Sequence, residues 1–109
     1  MFQIFGKSKC FDTKKAERYF KERRIKYQYI DIIRYGMSRG ELKSVSNALG
    51  VEALADPKDR DYALYQHLAT DEARLEKLYE IPEMIRTPIV RNGKKATVGY
   101  CPEIWSTWQ

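Results

Sequence analysis

The chain opens on a short apolar run, Phe2-Gln3-Ile4-Phe5, bounded by Gly6. A run of this length predicts a buried strand. The period then changes. Over residues 10–23, Thr13, Ala16 and Phe20 recur at three- and four-residue steps, which predicts a helix with one inward face. Lys26–Asp31 carries Tyr27, Tyr29 and Ile30 and predicts a second strand. Strand, helix and strand of these lengths make one βαβ unit, so the two strands are expected to be parallel.

The middle of the chain is polar and helical. Ser38-Arg39-Gly40-Glu41 has the form of a capping box, serine with glutamate three residues later. The helix it starts carries Leu42, Val45 and Leu49 and stops at Gly50. Asp56-Pro57 breaks the chain. Tyr62, Tyr65 and Leu68, then Leu75, Leu78 and Tyr79, give two further helical stripes, with Thr70 as a cap between them. Beyond Pro82 the pattern shortens again. Pro88-Ile89-Val90-Arg91 and Lys94-Lys95-Ala96-Thr97-Val98 flank Asn92-Gly93, which predicts a β-hairpin with a type I′ turn. Pro102 stands near the start of a last helix, where Trp105 and Trp108 are expected to dock against the sheet. The order is β-α-β, a helical insert over residues 37–81, then β-β-α. The expected fold is one α/β domain over residues 1–109 around a four-stranded mixed sheet.

Composition narrows the class. With 109 residues and 43% hydrophobic content the chain can bury one modest core. No apolar run approaches the roughly 20 residues of a membrane span, so no membrane partner is expected. Charges begin at Lys7, which does not fit a secretory leader. Two cysteines do not make a disulfide framework, and the expected location is cytoplasmic. The net charge of +5 is uneven. Residues 1–26 hold nine Lys/Arg against Asp12, Glu17 and Glu22, a net +6, so the rest of the chain carries −1. Such a segment is either a solvated helix face or a field that draws anions. No nucleic-acid reading motif accompanies it, and nucleic acid is not an expected partner.

That basic segment surrounds the chemistry. Cys10 stands where the first strand gives way to the first helix. There the unpaired backbone N–H groups and the positive end of the helix dipole stabilise thiolate over thiol. Lys7, Lys9, Lys14 and the Thr13 hydroxyl add to the effect. At Thr13, three residues on, a redox pair would have its second cysteine. Cys101 follows the returning strand of the hairpin and is expected on the same edge as Cys10. A Cys10–Cys101 disulfide and two independent free thiols both fit. His67, the single histidine, reads as a packing or surface residue. No zinc-ligand spacing and no glycine-rich phosphate loop is present.

The element order, with a cysteine after the first strand and Thr87-Pro88 before the hairpin, resembles the thioredoxin fold. More closely, the chain resembles the arsenate reductase/Spx family over its whole length. The residues that carry the resemblance are Cys10 with Thr13-Lys14-Lys15-Ala16, Ile25-Lys26-Tyr27 leading to Asp31-Ile32, Gly40-Glu41-Leu42-Lys43, Arg86-Thr87-Pro88-Ile89-Val90 and Val98-Gly99-Tyr100.

The resemblance implies a glutaredoxin-like, thiol-dependent oxidoreductase with Cys10 as nucleophile and Thr13, Thr87 and a cis Pro88 shaping the site. It implies no bound cofactor, glutathione or another small thiol as reductant, and a small thiol or redox protein as partner. Similar arsenate reductases hold the oxyanion with three arginines. Here the position before the proline is Thr87, with Arg86 one place earlier, and a one-residue shift turns a side chain to the other side of an extended segment. The insert arginine matches Arg60, or Lys58 stands in for it, and the third position is Cys101. Weak or no arsenate reduction is therefore expected. Lys7, Lys9, Arg60 and Arg86 are the candidate anion-binding residues, and Cys101 is the candidate resolving thiol. The Spx branch implies the other reading, a transcriptional regulator that binds the C-terminal domain of the RNA polymerase α-subunit. In that branch Gly50 falls at the polymerase contact and Arg86 matches an arginine before the proline.

Overall fold

The computed structural model describes all residues from Met1 to Gln109. Strand β1 (Phe2–Gly6) pairs in parallel with β2 (Tyr27–Asp31), and helix α1 (Phe11–Glu22) connects them. After β2 come α2 (Ile32–Tyr35), α3 (Arg39–Leu49), a single 3₁₀ turn (Val51–Leu54), α4 (Tyr62–Gln66) and α5 (Asp71–Glu80). Strands β3 (Ile89–Asn92) and β4 (Lys95–Val98) form the hairpin, and α6 (Pro102–Trp105) ends the chain in a last 3₁₀ turn. The sheet order is β2-β1-β3-β4, with β3 antiparallel to both its neighbours. This is the mixed four-stranded sheet of a thioredoxin-like fold.

Alternation along the strands builds two cores. Ile4 pairs with Val90 and Phe5 with Ile89, so each register pair sends both side chains to one face. Phe2, Ile4 and Val90 pack with Ala16, Tyr19, Phe20 and Trp105 beneath α1 and α6. Phe5 and Ile89 pack with Leu42, Val45, Leu78 and Ile85 beneath the insert. Trp105 is fully buried, and its indole N–H donates to Thr97 Oγ1 at 2.8 Å. A tryptophan so placed is worth roughly 3–5 kcal/mol against alanine. The expected docking of the last helix on the sheet is observed.

Two local expectations are corrected, and one further helix is found. The hairpin turn is Gly93-Lys94, because Asn92 already pairs with Phe2 on one side and Lys95 on the other. Gly93 has φ +64° and Lys94 does not share the positive φ, which is the type II′ pattern. Helix α2 was not legible as a helix. It starts because the Asp31 carboxylate accepts from the N–H groups of Ile33 and Arg34. The stripe of Tyr62, Tyr65 and Leu68 yields only the five-residue α4, closed by Arg74, which donates to the carbonyls of Tyr65 and Gln66. The capping box at Ser38 and Glu41 and the Thr70 cap form as expected. No helix is long and apolar enough to cross a membrane.

Candidate active site

Cys10 is the N-cap of α1, in extended backbone, with its own N–H donating to Lys7 O at 3.0 Å. The helix behind it has 12 residues, long enough for its dipole to act. Thr13, one turn in, is 1% exposed. Its hydroxyl accepts the Lys7 N–H at 3.4 Å and lies close enough to the Cys10 sulfur to favour the thiolate. Thr13 can lie there because residue 6 is glycine. A Cβ on Gly6 would collide with the Thr13 side chain and crowd the Tyr29 ring. The residue at the usual second-cysteine position is thus a buried hydroxyl that touches the first.

The Thr87-Pro88 peptide is cis, as the resemblance implied. Thr87 is buried, and its carbonyl accepts from the Cys10 thiol at 3.5 Å. Burial pushes the Cys10 thiol up. Hydrogen bonds from the Thr13 and Thr87 side chains, with the N–H groups of Thr13 and Asp12, outweigh burial and hold the thiol below its ordinary value. Neither N–H closes a capping bond onto the sulfur, so they act on its charge. As a thiol the sulfur donates to the Thr87 carbonyl. As a thiolate it can only accept, and the two hydroxyls serve that form.

A cleft of about 530 Å³ opens beside Cys10. Its charged lining is Lys7, Lys9, Lys58 and Arg86 against Asp12 and Asp56, with Thr87 and Pro57 completing the wall. Lys7 is fixed, its ammonium donating to Glu83 O at 2.8 Å. The insert meets the segment before Pro88 through a short antiparallel contact, Ala55 opposite Ile85. Asp56 N–H donates to Met84 O at 2.8 Å, and Arg86 N–H donates to Leu54 O at 2.7 Å. This contact brings the Asp56-Pro57-Lys58 loop to the cleft.

Of the expected anion-binding residues, Lys7, Lys9 and Arg86 line the cleft. Arg60 does not. It is exposed beyond the loop, and Lys58 takes the place instead. Backbone alternation does turn Arg86 away from buried Ile85 and Thr87, yet its long side chain still borders the cleft. Its guanidinium lies beside Gly99, where an added Cβ would be 3.8 Å away. Asp12, Asp56 and Gly6 were missed as site residues, and only the folded chain reveals them.

Cys101 caps α6, and its thiol donates to Val98 O at 3.5 Å. It packs against the core under α1 and α6 and does not line the cleft. Burial first, then the Glu103 carboxylate, raises its thiol above the ordinary value. Both cysteines are free. His67 is exposed at the end of α4, consistent with a surface residue.

Known proteins match this arrangement. The chain is 29% identical over 103 residues to the global transcriptional regulator Spx 2 of Oceanobacillus iheyensis, covering 89% of this chain and 75% of that protein. The structure of an arsenate reductase from Vibrio cholerae superposes with a TM-score of 0.83 at 26% identity, over 94% of this chain and 92% of that one. An arsenate reductase related protein from Brucella melitensis shares the fold, with a TM-score of 0.66 at 20% identity over 98% and 92% of the two chains. The sequence model of the ArsC family matches residues 5–108, and this chain therefore belongs to the ArsC family.

Proposed function

We propose that this protein is a glutaredoxin-like, thiol-dependent oxidoreductase with Cys10 as its nucleophile. The observation that carries this reading is the setting of Cys10. It heads a full-length helix, touches two hydroxyls and opens on a cationic cleft. The thiolate is the reactive form in exchange, and this setting raises its share above that of an ordinary thiol. Attack on a disulfide leaves Cys10 in a mixed disulfide, which a second thiol must resolve. Cys101 is poorly suited, since its sulfur turns into the core and its thiol is raised. A small thiol such as glutathione fits better, with a reducing cytoplasm as the matching compartment. No bound cofactor enters the reaction.

Arsenate is a poor substrate on this reading. Two of the three arginine positions of similar arsenate reductases hold Thr87 and Cys101 here, and a hydroxyl or thiol does not replace a bidentate guanidinium. The test is adduct formation. The protein is treated with a glutathionylated peptide and mapped by mass spectrometry. A glutathione adduct on Cys10, lost in Cys10→Ser, is expected. An unmodified Cys10, or a Cys10 that alkylates like a free thiol with pKa about 8.5, sinks the reading.

One observation favours a second reading, the 29% identity to a global transcriptional regulator. On it, the protein binds the C-terminal domain of the RNA polymerase α-subunit, with Gly50, which ends α3 at φ +85°, at the contact. Polymerase binding that survives Cys10→Ser supports this reading. An absence of binding at micromolar protein removes it.

A further inference from the structure

Resting on the thiol-exchange reading of Cys10, we propose that the cleft selects disulfides that carry a carboxylate, and that Arg86 is the specificity-determining residue, with Lys58 beside it. The molecule's three side-chain ion pairs are Arg39–Glu76, Arg74–Asp71 and Arg91–Glu41, and Arg86 belongs to none of them. Arg23 and Arg34 lie over tyrosine rings. Arg86 instead holds its backbone in the Leu54 contact, and its side chain borders the cleft with no acidic partner. A guanidinium fork matches a carboxylate with two parallel bonds.

The surrounding charges agree. Lys7 is committed to Glu83 O, and the Asp56 carboxylate accepts the Lys58 N–H at 2.9 Å. The cleft still sets four cations, Lys7, Lys9, Lys58 and Arg86, against the two carboxylates of Asp12 and Asp56, and Lys9, Lys58 and Arg86 are in no ion pair. The placement also separates this site from an oxyanion clamp on the reacting atom. Thr87, not Arg86, bonds to Cys10, while the Arg86 guanidinium sits by Gly99. The anion assigned to Arg86 is therefore a carboxylate on the body of a small thiol compound, not a group on the reacting sulfur.

The exchange balances without another oxidant. The Cys10 thiolate attacks one sulfur of the substrate. The new S–S bond forms as the old one breaks, and the other half leaves as a thiolate that takes a proton from water. A small thiol then attacks the mixed disulfide and releases Cys10 as thiolate.

The test uses the whole chain and three probes: a bis(carboxy-nitrophenyl) disulfide, dipyridyl disulfide, which is neutral, and cystamine, which is cationic. Rates of adduct formation at Cys10 are compared between wild type and Arg86→Gln. The dicarboxylate-to-neutral rate ratio is expected to fall about tenfold, the equivalent of one charge-assisted hydrogen bond. Arg86→Lys should recover only part of it. In wild type, salt should slow the dicarboxylate and not the neutral probe. A ratio unchanged by Arg86→Gln overturns the proposal. So does an equal loss with both probes, because Arg86 would then act on the thiolate and not on the substrate. Should Arg86→Gln lose its fold by circular dichroism, Lys58→Gln and the wild-type salt dependence decide in its place. If no probe reacts at Cys10 in wild type, the exchange reading itself falls. Reaction with all three and no charge preference removes only the carboxylate selectivity.

Discussion

Cys10 and Cys101 stand in the same kind of place, each the residue before a helix and each partly buried, yet the fold moves their thiols in opposite directions. The helix behind Cys10 has 12 residues and that behind Cys101 has four, so only the first has a dipole of useful size. Hydroxyls from Thr13 and Thr87 reach Cys10. Cys101 also has a hydroxyl near it, from Thr97, but burial and the Glu103 carboxylate prevail. Position at a helix start is therefore not enough to activate a cysteine. What decides is the number of donors the rest of the fold delivers to the sulfur.

Five substitutions break or sharpen that contrast. Cys10→Ser has the largest effect. It should abolish mixed-disulfide formation by mass spectrometry, whereas Cys101→Ser should keep it. The two variants should also differ in how stability follows pH. The folded pKa of Cys10 is depressed, so its thiolate contributes stability above the unfolded value of about 8.5, and this is lost as pH falls through the folded value. Cys101 has a raised folded pKa, so its contribution is present below about 8.5 and is lost as pH rises through the folded value. Urea titrations across that range should show the wild-type advantage over Cys10→Ser growing with pH, and that over Cys101→Ser shrinking. Slopes of the same sign would contradict the contrast.

Gly6→Ala comes next. Its Cβ would displace Thr13, a core-overpacking change that costs about 1–3 kcal/mol. Denaturant unfolding should show the loss, and the Cys10 alkylation pKa should move back toward an ordinary thiol. An unchanged alkylation profile would mean that Thr13 does not act through this contact. Thr13→Val keeps the volume and removes the hydroxyl. The loss of one hydrogen bond to the thiolate should raise the Cys10 pKa by about one unit. A pKa equal to wild type would leave the helix end as the whole cause. Smallest is Glu103→Gln, which should lower the Cys101 pKa by a few tenths of a unit, since an exposed carboxylate is well screened. A matching change at Cys10 would show that the two thiols are not independent.

Much of the fold was legible because it rests on local signals. A short apolar run marked β1, the Ser38–Glu41 box marked α3, and the change of period at Cys10 marked α1. The misreadings came where a neighbouring segment took over a local cue. Asn92 would have entered the turn, but β1 claims it as a strand residue. Helix α2 depends on one aspartate carboxylate that reads equally well as the end of a strand. At the candidate site, Cys10 and Thr13 were marked by the start of the first helix, and Thr87 and Pro88 by the family resemblance. The site was not legible at Lys58, where Arg60 was equally eligible and only the contact of Ala55 with Ile85 decided which residue reached the cleft.

The sequence by itself determined the order of elements and the placing of a thiol at the head of the first helix. These follow from hydrophobic period and capping chemistry, which act over a few residues. Tertiary structure alone decided which of two similar cysteines is activated. The donors that favour the Cys10 thiolate come from residue 13 and residue 87, and the space for one of them comes from Gly6. A hydrogen bond depends on distances of a fraction of an ångström between segments far apart in the chain, and no local pattern encodes such a distance.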